Sequence, residues 1–144
     1  MHTNKKTTER VGAKVLLSTL WLFAMLTYTY GDVVTLMDPV KHGTMVLTQG
    51  FLLGASILMM IPIAMVLLSR VLKYQANRWA NIIAGTVMTV FLIMTLLVAV
   101  PTMYYAFFSA IEIASTAVIV GYALTWPNPE SSPISVTLAQ GEAE

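Results

Sequence analysis

Apolar and polar positions along this chain come in long blocks instead of a short alternation. Runs of about 20 mainly apolar residues, the length that crosses a hydrocarbon core ~30 Å thick, fall at Val15–Met37, Met45–Leu72, Trp79–Val100 and Thr102–Trp126. The last two cannot be one element, because a straight helix from Trp79 to Trp126 would be ~70 Å long at 1.5 Å per residue. Pro101 supplies the corner: it disfavours helical geometry at Val100 and suits the first turn of the helix that follows. Pro62, inside the second run, removes one backbone hydrogen bond and predicts a kink or tilt there. The predicted fold is all-α, an integral membrane four-helix bundle with spans at 15–37, 45–72, 79–100 and 102–126. A basic segment, 1–14, precedes the bundle. A tail, 127–144, rich in Pro, Ser and acidic residues, is expected to have no fixed structure.

Charge sharpens this picture. Only 10% of the 144 residues are charged and 57% are apolar, whereas soluble domains carry roughly a quarter charged residues. The principal partner is therefore a lipid bilayer, and a net charge of +1 excludes a basic nucleic-acid binder. Seven of the eight Lys and Arg residues lie before the first span or around the second connection, and Lys41 alone lies in the first connection. By the positive-inside rule both termini are expected in the cytoplasm. Tyr74, Trp79 and Trp126 then sit at the inner boundary, and Tyr104 and Tyr105 at the outer one. The first run is longer than a signal-peptide core and lacks a small-x-small cleavage site, so it is expected to remain as an anchor.

Within the spans, Glu112 stands out. It lies ten residues past Thr102, ~15 Å down a helix, close to the bilayer midplane. A carboxylate costs ~2.5–3.5 kcal/mol there on insertion scales, so it is expected to face the bundle interior or a water-filled space. Tyr105, Ser109, Glu112 and Thr116 recur at helical spacing and form one polar stripe. Tyr28, Asp32 and Thr35 form a second in the first span, with Asp32 ~6–8 Å inside the outer boundary. Gln49 enters the second span at a similar depth, with Ser56 two turns below. These groups predict an outward-opening pocket with Asp32 and Gln49 at its mouth and Glu112 at its floor. No Lys or Arg accompanies the acids at their depth in the spans. A protonated Glu112 would donate a hydrogen bond, to Tyr28 or Ser56 for example. An ionised one would need a cation from a ligand, a metal or another subunit. The structural alternative is interhelical hydrogen-bond glue, worth ~0.6–2 kcal/mol per group.

Other signals are generic. Gly50 and Gly54 in "GFLLG" and Ala84-Gly85 match the small-residue patterns that let helices approach, within the bundle or, less expected, between copies. Ten methionines are read as gap fillers. With no cysteine and two isolated histidines, no metal site or cofactor is expected. No Ser-His, HExxH or Cys arrangement exists at usable spacing, so no catalytic residue is assigned.

At "RVLKYQANRWANIIAG" and "PTMYYAFFSAIEIASTAVIVGYALTW" the chain resembles a family of small bacterial four-span membrane proteins catalogued as a domain of unknown function, from about Leu17 to Trp126. The resemblance implies four spans and a bacterial inner membrane, and brings no activity, ligand or catalytic residue. DoxX-like and small multidrug-resistance proteins are similar in architecture only. The latter carry their membrane-embedded glutamate in the first helix, where this chain has Asp32. The leading functional expectation is non-enzymatic binding or proton-linked transport of a small lipophilic or cationic molecule at the acidic pocket. The alternative is an accessory subunit that docks onto a membrane-protein partner, or onto further copies as a homo-oligomer.

Overall fold

The computed structural model describes residues 2–39, 48–98 and 101–127, with side chains from residue 11 onward. Met45, Val100, His42, Lys41 and the tail from residue 128 lie outside the described residues. Within them the chain forms helices α1 (His2–Met37), α2 (Gln49–Val71), α3 (Tyr74–Val98) and α4 (Met103–Thr125). Each is long and apolar enough to cross a membrane.

The boundaries follow from local chemistry. Helix α1 continues back through the basic segment to His2. Helix α2 starts where the Thr48 side chain accepts a hydrogen bond from the Phe51 amide at 3.2 Å, satisfying one of the donors a helix start leaves open. It runs through Pro62 to Val71, and Leu72 is extended. Helix α3 begins at Tyr74, five residues before its apolar run, so the polar stretch "YQANR" is helical as well. Thr102 precedes α4 in extended conformation, next to Pro101.

The helices pack as a ring. Helix α1 touches α2 and α4, and α3 touches α4 and, less extensively, α2, leaving α1 opposite α3 and α2 opposite α4. The α1 contribution to the core is a stripe of Leu17, Trp21, Ala24 and Tyr28, steps of four, three and four residues that keep one helical face inward. Met65, Met88, Leu92 and Ile119 meet it from the other helices. The outside is apolar too: Phe51, Leu53, Leu67, Phe91 and Leu97 are all exposed. Buried among the helices, by contrast, are Asn77, Asn81, Ser69, Thr116 and Glu112. An apolar exterior around a partly polar interior suits hydrocarbon as the surrounding medium.

Gly85 lets α3 and α4 approach closely. A Cβ there would lie 2.6 Å from Val120 Cγ2 and 3.6 Å from the Thr116 carbonyl oxygen, which only a glycine avoids. The expectation that Ala84-Gly85 mediates close packing agrees with this contact. Gly50 and Gly54 do not act that way within the bundle, since a Cβ at either would meet nothing within 4 Å. The rotation of α2 turns them outward.

Candidate functional site

Glu112 is 5% exposed and lies on the α4 face turned toward α1. Gly31 makes room for it: a Cβ at Gly31 would be 3.6 Å from Glu112 Oε1 and equally close to Phe108. Around this contact lies a cavity of about 70 Å³, lined by Tyr28 and Asp32 of α1, Leu58 and Met59 of α2, Phe91 of α3, and Tyr105, Ser109 and Glu112 of α4 among others. All four helices contribute. A water molecule needs about 10–15 Å³ of such space, so the cavity holds a few waters or an ion of similar size. Pockets for drug-sized ligands are about 300–1,000 Å³.

The polar groups here are acids and hydroxyls. The charged group that acts on Glu112 is another acid, Asp32. Asp32 is exposed and Glu112 buried, which matches a mouth and a floor. Tyr28 is buried, and its hydroxyl meets no hydrogen-bond partner, a costly state for a buried donor. Pro62 has no amide hydrogen, so the Leu58 carbonyl lacks its usual helical donor, and Leu58 also lines the cavity. Acceptors and hydroxyls thus converge without a cation. Among the described residues no group of three or more His, Cys, Asp or Glu could hold a metal ion.

Five of the seven residues singled out from the sequence line this cavity: Glu112, Asp32, Tyr28, Tyr105 and Ser109. Thr116 does not. It is fully buried one turn further along, where its hydroxyl shares a 2.7 Å hydrogen bond with that of Thr89 and reaches the Glu112 carbonyl at 3.0 Å, fastening α4 to α3. Gln49 is exposed at the start of α2 and lies away from the cavity. Ser56 is exposed too and donates to the Leu52 carbonyl of its own helix at 2.8 Å, so it is no partner for Glu112.

A second polar centre went unread in the sequence. Trp21 Nε1 donates to Asn81 Oδ1 at 2.7 Å across the ring, and Ser69 Oγ donates to the same oxygen at 3.3 Å. Asn81 Nδ2 donates to the Asn77 carbonyl and to Asn77 Oδ1, while Asn77 Nδ2 donates to the Ser69 carbonyl at 2.6 Å. The four-residue spacing of Asn77 and Asn81 was the available signal.

A family model described as "Family of unknown function (DUF6326)" matches residues 6–132. The chain belongs to that family. Its membership bears out the resemblance to an uncharacterised four-span family and covers almost all of the described bundle. No curated protein and no solved structure matches the chain.

Proposed function

We propose that this protein is a non-enzymatic carrier or receptor that takes up a small cation in the cavity around Glu112 in exchange for a proton. The observation that carries the reading is a buried acid facing a cavity with a second acid and an unpartnered tyrosine hydroxyl, and with no basic side chain. An ionised carboxylate in such surroundings needs a positive charge, and a proton or an incoming cation supplies it in turn. The cavity volume favours a small cation over a lipophilic molecule. Flanking rings of Tyr28, Phe91 and Phe108 add faces that attract positive charge. The setting we infer is a bacterial inner membrane, as the sequence resemblance implies, with both termini cytoplasmic on the strength of the seven-to-one distribution of Lys and Arg.

Uptake of sodium and of methylammonium into proteoliposomes, measured across pH, tests this reading. Since cation and proton compete for Glu112, uptake by the wild type should strengthen as pH rises, and Glu112→Gln should abolish both uptake and its pH response. Equal uptake and an equal pH response in the variant would remove the proposal.

A second reading, an accessory subunit of a larger assembly, is favoured by α2. Only 11% of its spanning residues are buried, against 28–33% in the other helices. Gly50 and Gly54 face open space, and a shallow groove of about 430 Å³ runs along Ile57, Met60, Ile61 and Ala64. Native mass spectrometry after gentle extraction discriminates: a monomer in every mild detergent and nanodisc speaks against a partner.

A further inference from the structure

At the end of the bundle that carries the α2–α3 turn, two cations share the seam between α1 and α2. Lys14 Nζ donates to the Leu72 carbonyl at 2.7 Å and to the Arg70 carbonyl at 3.3 Å. One turn along α1, Ser18 donates to the Val66 carbonyl at 2.8 Å and accepts from Arg70 Nε at 3.0 Å. Every one of these partners is a neutral oxygen. Among the residues whose side chains are described, the acids are Asp32, Asp38 and Glu112, all in the opposite half or the middle of the bundle. Two like charges thus share one seam, each held by backbone or hydroxyl oxygens. Only part of their donor capacity is used, since Arg carries five N–H donors and Lys three.

The surroundings of the pair are apolar. Val11 and Val15 flank Lys14 on α1, Leu67 and Val71 flank Arg70 on α2, and all four are exposed. At the same end the Tyr74 and Trp126 rings pack edge to face at 5.2 Å, and Tyr74 donates to the Trp126 carbonyl at 2.6 Å. Such amphipathic rings mark the level of lipid headgroups. A phosphate between two fixed cations, with hydrocarbon on both sides, is the chemistry of an anionic phospholipid. We infer that the Lys14–Arg70 seam binds the phosphodiester headgroup of an anionic phospholipid, its acyl chains lying along the exposed valines and leucine. The bond from Arg78 Nη2 to the Leu124 carbonyl at 3.0 Å provides an internal contrast: a cation at the same end that caps a different helix.

The test is native mass spectrometry of the full chain released from nanodiscs containing phosphatidylglycerol and phosphatidylcholine. The wild type should retain phosphatidylglycerol with a preference that drops about fivefold in Arg70→Gln, the size expected for one basic residue at an anionic surface. Arg78→Gln should keep the preference. Lys14→Gln should lose it to a similar extent, and serves if the Arg70 variant does not fold. Equal retention of the two lipids by the wild type overturns the inference, as does an equal drop in Arg78→Gln. Displacement of the lipid by free glycerol phosphate would assign the seam to soluble phosphates and overturn it too. A preference absent from the full chain that emerges only after removal of residues 130–144 would give the seam to the chain's own acidic tail, with the same consequence.

Discussion

The asparagine centre and the Glu112 cavity are both polar inclusions in an apolar bundle, and Trp21 and Tyr28 put them only ~10 Å apart along α1. Their hydrogen bonding differs. Asn81 uses both lone pairs of its oxygen, on Trp21 and Ser69, and both of its N–H groups, on Asn77. That side chain has no capacity left. The cavity instead collects a carboxyl group, a buried hydroxyl without a partner and a second acid around one space. A saturated cluster can hold helices together and do nothing else. An unsaturated one costs stability and keeps its groups available for a ligand or a proton.

Substitutions can break that contrast, and the largest effect is expected at Asn81. Asn81→Leu strands Trp21 Nε1 and Asn77 Oδ1 together, and should cost about 2–3 kcal/mol, given ~1–3 kcal/mol per stranded buried group and the weaker bonds typical of membrane bundles. Unfolding in mixed micelles by SDS titration measures it, and a loss within experimental error would show that the network is ornamental.

Next comes Gly85→Ala, whose new Cβ would sit 2.6 Å from Val120 Cγ2. Valine has little rotamer freedom in a helix, so overpacking should cost about 1–2 kcal/mol net of alanine's better helix propensity. Gly31→Ala is the matched control beside the cavity, where the new carbon meets its neighbours at 3.6 Å. The same titration should find it close to neutral.

Smallest is Tyr28→Phe. It removes a hydroxyl that makes no hydrogen bond, and stability should stay within about 0.5 kcal/mol of the wild type or rise slightly. A loss above 1 kcal/mol, by the size of a net buried hydrogen bond, would mean that the tyrosine is already paired and the cavity is closed like the asparagine centre.

The readable and unreadable parts of the site separate along the same physical line. Glu112 and Ser109 could be placed on one inward face of α4, because a three-residue step is fixed by the helix and an acid at mid-depth must avoid lipid. Thr116 belongs to that face by spacing, yet it joins the α3 seam. In a ring α4 has two neighbours, and a stripe read from one helix does not say which of them it meets. Gln49 and Ser56 failed for a related reason. The α2 sequence is apolar all round, so nothing local reports its rotation, and packing turns both residues outward while Leu58 and Met59 take the cavity wall. Asn77 falls in the polar stretch before the third span and Asn81 just inside its end, where polar residues read as the water boundary.

By itself the sequence determined the elements and their apolar character: four runs long enough to cross hydrocarbon, a break at Pro101, and an acid on the inward face of its helix. These follow from chain length, helical rise and the cost of charge in an apolar solvent, all of which are local. Only the tertiary structure decided which polar groups find partners. That depends on how four helices are rotated and how closely Gly31 and Gly85 let them approach, and neither quantity is written in any one helix.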